Sequence, residues 1–425
     1  MYLDVNELIS FIEASKRQEK KTSLEKMFSL CTLFGNPQND VPFIHVGGTN
    51  GKGSTVTYIK SILMEEGFNV GAYISPYIVC FNERISINGN YISDEDLLYY
   101  GNKVIDTCAK ANHEIPAFFD FVTIIAFLYF KDLYNKKMMD VAILEVGMGG
   151  IYDSTNVCKP LVSLITNVDY DHMSVLGNTL EEIWTNKLGI LKQDTPFICY
   201  SSDYDYLVKE KALQMKALSK LHIINKKDCA IKDLGIDYTI FDYDDLKCIK
   251  LQMSGAYQAE NACLAIEAIK TLNDNHLLGK SITEIAIRNG LEKAFWPGRL
   301  EKVCDKPLVI LDGAHNVDAI NRLVEFIKQV KFNHPLRLVI AISANKEVEK
   351  MIDLIEPLAD EVVYTEFNYK RSDSASHLFN LSHHQNKILM EDEKEIIKYI
   401  TNDFIHDNIL FGSLYFVSEM RKLLK

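Results

Sequence analysis

The chain is poor in the features that mark several protein classes. Its nine cysteines are scattered, with no Cys-x-x-Cys and no paired metal-ligand spacing. That argues against a disulfide framework and fits reduced thiols in a cytosolic protein. No apolar run approaches 18 residues, and Met1-Tyr-Leu-Asp-Val-Asn-Glu7 lacks the basic-then-apolar layout of a secretion signal. A cytoplasmic protein without a membrane partner is therefore expected. Low-complexity tracts are missing too, and positive charge is in deficit, at 46 Lys and Arg against 58 Asp and Glu, a net charge of −12. A general nucleic-acid binder needs a basic face to replace phosphate counterions, so the balance argues against that class. A nucleotide is not excluded, because it needs only a local pocket. The remainder is an ordinary globular composition, 47% hydrophobic and 24% charged over 425 residues, a length that suits two or three domains.

What the chain does have is concentrated first in Phe43-Ile-His-Val-Gly-Gly-Thr-Asn-Gly-Lys-Gly-Ser54. Phe43 to Val46 reads as a buried strand, and Val56, Ile59, Ile62 and Leu63 recur at helical spacing up to a stop at Gly67. A strand, a glycine-rich turn and a helix aim free backbone N–H groups and the positive helix end at a phosphate. Lys52 adds a point charge and Ser54 a hydroxyl able to reach magnesium. The general phosphate-loop pattern is met imperfectly, with Val46 at its first glycine and Gly53 after the lysine.

Further along, residues 5–34 carry two helical patterns separated by the basic stretch 16–21, read as a solvated loop. Short strands are predicted at 69–75, 139–146 and 160–168, with helices at 94–112 and 119–134. Strands apolar on both faces, alternating with helices, indicate a parallel α/β sheet covered on both sides. Ligands of such sheets sit beyond the carboxyl ends of strands, where Gly47–Ser54, Ser75, Glu145 and His172 fall. Residues 196–255 give no functional signal. Helices are predicted at 258–272 and 281–294, and Phe295-Trp-Pro-Gly-Arg299 then reads as a hinge. A second α/β cycle follows: strands at 307–312, 336–343 and 361–367, helices at 317–330 and 348–358, and a late strand and turn at 409–415. The domains expected are 1–296 and 297–425.

Several side chains stand out chemically. Glu145 ends an apolar strand beside a flexible turn and suits a magnesium ligand, or is merely an exposed loop carboxylate. His172 has the matching place on the next strand, though a lone histidine is often structural. Lys187 shares the apolar face of a helix with Leu180, Ile183, Trp184, Leu188 and Leu191, so its amine either snorkels to solvent or is held there for a purpose. Desolvation would favour the neutral, nucleophilic amine. Asp312-Gly-Ala-His315 ends the first C-terminal strand, and Arg299 at the hinge is a fixed cationic fork that suits a phosphate; either could equally be a structural contact.

Gly48-Thr-Asn-Gly-Lys-Gly-Ser54 resembles the phosphate loop of the Mur ligase superfamily. The run of Phe34-Gly-Asn-Pro-Gln38, Ser75-Pro76, Phe81-Asn-Glu-Arg-Ile85, Glu145-Val-Gly-Met-Gly-Gly150 and Asp153-Ser-Thr-Asn-Val157 resembles its folylpolyglutamate synthase/dihydrofolate synthase branch. So do Lys187-Leu-Gly-Ile190, Gln258-Ala-Glu-Asn-Ala262, Pro297-Gly-Arg299, Asp312-Gly-Ala-His-Asn316 and Gly412-Ser-Leu-Tyr415. The resemblance implies an N-terminal parallel-sheet ATPase domain, a Rossmann-like C-terminal domain, and ATP-dependent addition of L-glutamate to a folate or dihydropteroate carboxylate through an acyl phosphate. By position it implies ATP contacts at Asn50, Gly51, Lys52, Gly53, Ser54, Asn261, Arg299 and Asp312, and Mg2+ at Ser75, Glu145 and His172. It places Lys187 (carbamylated), His315 and Lys52 in catalysis, His315 and Ser413 near glutamate, and Thr123, Arg84 and Asp153 on the substrate side. A monomer is implied as well. The chain departs from the family pattern at Tyr77, Ile151-Tyr152, Tyr257 and Asn345-Lys-Glu347, which leaves acceptor choice open. A Mur-type ligase for another carboxylate, or an ATP-binding relative without catalysis, are the alternative readings.

Overall fold

Phe43–Gly47 (β1) is the apolar run before the glycine turn, and all five of its residues are buried. A strand buried on both faces needs neighbours in a parallel sheet with helices above and below. The computed structural model describes residues 1–15, 22–344, 346–369 and 372–425. The basic stretch 16–21 and the departure at Asn345 lie outside the described residues. β1 joins Val70–Tyr73 (β2), Ile85–Ile87 (β3), Asn90–Tyr91 (β4), Val141–Glu145 (β5), Val162–Ile165 (β6), Phe197–Tyr200 (β7) and Leu221–Ile224 (β8). Their order across the sheet is β4-β3-β2-β5-β1-β6-β7-β8. The strands from β2 to β8 are parallel, and the β3–β4 hairpin, which no sequence signal had suggested, is antiparallel at one edge.

Topology brings distant segments together at one edge. Val46 pairs with Glu145 on one side and Leu164 on the other. The carboxyl ends of β2, β5, β1 and β6 therefore stand side by side, each followed by one of the turns that carry polar residues. The helix Phe118–Asn135 has 12 buried residues of 18 and covers one face, with Phe127 5.6 Å from Phe43 between ring centroids. A helix buried on nearly all sides belongs to the core rather than to the surface.

The chain divides into two compact units, residues 1–228 with 261–291, and 229–260 with 292–425. In the second, Cys229–Leu234 (β9), Thr239–Tyr243 (β10) and Leu246–Leu251 (β11) form an antiparallel sheet. Residues 234, 236 and 257 pack on the hydrophobic cluster that includes Leu300, Leu308 and Ile310. The larger sheet holds Glu301–Asp305 (β12), Leu308–Asp312 (β13), Leu336–Ile340 (β14), Glu361–Tyr364 (β15), Lys387–Leu389 (β16) and Asp407–Phe411 (β17), ordered β12-β13-β17-β14-β15-β16. All pairs but β12–β13 are parallel.

The stretch at 409–415 differs from its expected form. β17 lies at the sheet's centre, and Leu414–Leu424 continues as a helix whose N-cap, Ser413, accepts the Tyr415 N–H. An apolar strand reads the same wherever it sits in a sheet, so the sequence could not rank it; the serine cap was the available signal for the helix. Beneath β14 the fully buried Arg337 donates to Glu361, Asp403 and Asn408 and lies 4.3 Å from the Tyr399 ring. Among the described residues no helix is long and apolar enough to cross a membrane.

Candidate active site

The glycine loop after β1 has a shape only glycine permits at two places. Gly51, at φ 83°, caps the helix Lys52–Glu65, and a Cβ there would fall 2.2 Å from Asn261 Oδ1. Gly48, at φ 143°, lies against Thr166, whose Oγ1 would be 1.9 Å from a Cβ. The turn after β6 braces the loop: Asn167 O accepts the Thr49 N–H at 2.8 Å, Asn167 Oδ1 accepts the Asn50 N–H at 2.7 Å, and Thr166 Oγ1 donates to Asn50 O. Lys52 Nζ donates to Gly48 O and Thr49 O at 3.2 and 3.1 Å, so its charge sits over the loop. Gly53 and Ser54 open the helix's first turn, whose unpaired N–H groups and dipole favour an anion.

Lys187 does not snorkel. Its side chain is 3% exposed, and Nζ donates to Gly48 O at 2.8 Å. Burial, with Lys52 nearby, pulls its pKa from 10.5 down to about 7, against the opposing pull of Asp171 and Asp153. A capping box holds its helix, Leu180–Lys187: Thr179 accepts the Glu182 N–H, and Glu182 returns a bond to the Thr179 N–H. The glycine turn after Glu145 packs on the end of that helix. Gly149 is at φ 71°, and a Cβ on Gly150 would lie 2.5 Å from Lys187 O.

Of the residues proposed for a metal, Ser75 and Glu145 stand together, since the buried Glu145 carboxylate accepts the Ser75 N–H at 3.0 Å. His172 caps the short helix Met173–Leu176 at φ 50°, with its side chain about half exposed and Nε2 3.8 Å from Asp171. Among the described residues no group of three or more His, Cys, Asp or Glu side chains is gathered as for a metal.

A cavity of about 310 Å³ lies beside this edge, lined by Ser75, Arg84, Phe119, Gly147, Tyr152 and Asp153, with Phe118, Asp120 and Ser154 among its other walls. Arg84 is buried, stacks over Tyr77, Phe81 and Phe118 at 5.0, 5.7 and 5.2 Å, and has an Nε without a hydrogen-bond partner. Asp153 Oδ2 accepts the N–H groups of Gly147 and Met148, both at 3.0 Å. Thr123 is fully buried, bonding Tyr73 OH at 3.0 Å and Phe119 O at 2.7 Å, and is not among the residues lining the cavity. Phe118, Phe119 and Asp120 had not been given a role from sequence, and Tyr152 and Ser154 had entered only as a departure and within the Asp153–Val157 segment. The signal for the first three is faint: an aromatic pair opening a helix.

In the second unit, Asp312 is buried at the end of β13 and accepts the N–H groups of Leu300 and Ala314 at 2.9 and 2.8 Å. Burial pushes its carboxyl above the ordinary value, although Arg299, those N–H donors and Tyr257 act the other way. The Arg299 guanidinium passes close to Gly313, and His315 Nδ1 bonds Gly313 O at 2.8 Å. Ser413 is buried at its helix start. Tyr257, one of the departures, thus belongs to the Asp312 cluster; Tyr77 stacks with Arg84 and Ile151 packs on Gly189.

Comparison with known proteins shows the family and the fold. The family model for the Mur ligase middle domain matches residues 46–269, and that for the Mur ligase glutamate ligase domain matches 298–411. The chain is 35% identical, over the full length of both, to the dihydrofolate synthase/folylpolyglutamate synthase of Bacillus subtilis. It is 33% identical to the folylpolyglutamate synthase of Lacticaseibacillus casei, covering 83% of this chain and 82% of that one. The crystal structure of folylpolyglutamate synthase from Thermotoga maritima superimposes with a TM-score of 0.84 at 31% identity, covering 99% of this chain and 96% of that one. A folylpolyglutamate synthase complex with AMPPCP and folate gives 0.83 at 29% identity, covering 99% and 100%. The chain belongs to the Mur ligase family and, within it, to the folylpolyglutamate synthase/dihydrofolate synthase branch.

Proposed function

We propose that this protein is an ATP-dependent ligase that adds L-glutamate to a folate-type carboxylate, on tetrahydrofolate polyglutamates, dihydropteroate or both, through an acyl phosphate. One observation carries the reading: Ser75 and Gly147 line the aromatic cavity and also stand at the sheet edge beside the glycine loop. A flat ring system seated against Phe118, Phe119 and Tyr152 would present its carboxylate at that edge. Arg84 supplies charge for an anionic or carbonyl group, and Asp120 supplies an acceptor for ring amino groups, while Asp153, whose oxygens are taken up by Gly147, Met148 and Thr155, shapes the wall on the substrate side.

The loop N–H groups of Gly51 to Ser54, with Lys52, take the ATP phosphates; Asn50, whose N–H is held by Asn167 Oδ1, shapes the loop beside them, and Asn261, Arg299 and Asp312 serve the nucleotide. The oxygen donors at Ser75 and Glu145 suit magnesium, with His172 as a third contributor and phosphate and water oxygens completing the set. When bound, the ion neutralises charge on the transferred phosphoryl group. Lys187, neutral in part near pH 7, reacts through its amine with carbon dioxide to give a carbamate and release a proton; the product is an anion beside the loop. His315 and Ser413 position the incoming glutamate within 297–425, the glutamate-ligase part, while 1–296 carries the phosphate loop for ATP. Thr123 acts on the substrate side through its bond to the carbonyl of Phe119, a lining residue. The enzyme acts as a cytoplasmic monomer.

The test is ADP release with ATP, magnesium and glutamate, comparing dihydropteroate with tetrahydrofolate. Glutamate-dependent release with at least one acceptor, abolished by chelation of magnesium, is expected. Tight ATP binding without release on either acceptor would overturn the reading.

A further inference from the structure

His45 lies at the middle of β1 with no exposed surface. Its strand neighbours Phe43 and Gly47 share its face, which is packed with apolar side chains, so an imidazole there must be held by specific bonds. One is visible: His45 Nε2 lies 2.8 Å from Thr155 Oγ1. The Thr155 hydroxyl has a single proton, and it donates that proton to Asp153 Oδ1. Thr155 Oγ1 must therefore accept from His45, which puts the imidazole proton on Nε2. His45 Nδ1 is then a lone pair, and it meets no hydrogen-bond partner. A second proton on the ring would have no acceptor there. In agreement, burial, helped by Lys192, pulls the imidazole down to about 3.

Asp153 takes the far end of this chain. Its Oδ1 accepts Thr155 N–H and hydroxyl, and its Oδ2 accepts the N–H groups of Gly147 and Met148. Those two residues begin the turn after Glu145, and Gly147, Met148 and Asp153 line the cavity. A bond that polarises the next strengthens it. His45 itself lies two residues before Gly47, where the glycine loop begins.

We infer that His45 is a positioning residue: locked as the neutral Nε2–H tautomer, it ties the strand that feeds the phosphate loop, through Thr155 and Asp153, to the turn after Glu145 and to the cavity wall. It touches neither nucleotide nor acceptor and exchanges no proton during turnover. The inference rests on the ligase reading above for its kinetic consequence, but not for the tautomer.

Two measurements test it. Histidine-labelled protein, without substrates, should show one imidazole with the nitrogen pattern of a neutral Nε2–H tautomer that does not titrate between about pH 5 and 9. Assignment comes from loss of that signal in His45→Gln. An Nδ1–H or titrating His45 would overturn the proposal even if the ligase reading stands. In kinetics, His45→Phe keeps the ring's bulk and removes the donor. It should raise the acceptor KM and lower kcat by roughly 10- to 100-fold together while ATP affinity holds. His45→Gln, whose amide restores a donor, should recover most of that loss with an unchanged pH profile. Thr155→Val should match His45→Phe, and the double variant should be no worse than either. Additive losses, or equal losses in Gln and Phe variants, would refute the relay. If no variant or parent ligates folates, the ligase reading fails and the tautomer measurement still decides.

Discussion

Taking the Lys187 amine out of water costs free energy that its single bond to Gly48 O only partly offsets. Its pKa is about 7 in the folded protein and 10.5 ordinarily. Between those values the unfolded chain holds a proton the folded chain lacks, so stability rises with pH across that window, and the full penalty applies below about pH 7. The shift sets a ceiling on the order of 5 kcal/mol. Lys187→Met should accordingly stabilise the fold near pH 6 by a few kcal/mol in urea unfolding, with the gain fading towards pH 10. A pH-independent gain would show that the amine is not desolvated. Activity should move the other way: Lys187→Ala loses ligation by roughly a thousandfold or more while still binding ATP, and added short carboxylates restore a part. Periodicity placed this lysine on an apolar helix face. Whether it snorkelled depended on what packs over that face, where Trp184 and Leu188 join a buried cluster with Val146 and Ile165 and the amine meets Gly48 O.

At the scale of the element, the helix Leu180–Lys187 is only eight residues long and holds its geometry through its ends. Thr179→Ala removes the capping box and should cost about 1 kcal/mol by denaturant midpoint. It should also reduce kcat more than that loss implies for a distant site, because the helix end carries the lysine. Gly150→Ala is the more severe change. Its Cβ would sit against the backbone carbonyls of Lys187 and Asn186, which cannot rotate away. A loss of roughly 1–3 kcal/mol and near-complete inactivity are expected, read by thermal melting alongside ADP release. The glycines were legible in the sequence as a flexible turn. Their reason was not: Gly149 is there for its left-handed backbone, Gly150 for the close approach of a helix that follows a whole strand later.

For the whole molecule, the discontinuous units make a prediction about fragments. Residues 229–260 belong to the same unit as 292–425, and Leu234, Ile236 and Tyr257 pack on its hydrophobic cluster. A fragment ending at 296 therefore strands β9–β11 without the surface they cover. Hydrogen exchange should find the amides of 229–251 protected in the full chain and exchanging close to unfolded rates in the fragment, while β1 and β5 stay protected in both. Equal protection of β9–β11 in the fragment would mean that the small sheet holds itself together. Composition could not foresee this grouping. Short alternating strands carry no label for the core they join.

The sequence by itself determined the α/β class, the strand ends that carry polar residues, the glycine loop with Lys52, and the odd lysine on an apolar face. These are local matters of period, backbone freedom and charge, each readable within one or two turns of chain. Only the tertiary structure decided that β5, β1 and β6 lie side by side, and that adjacency sets Glu145, the phosphate loop and the Thr166–Asn167 brace at one edge. It alone buried Lys187, assembled the cavity and moved β17 to the centre of its sheet. Sheet order arises from which apolar faces can cover one another, a long-range choice that a strand's own residues do not record.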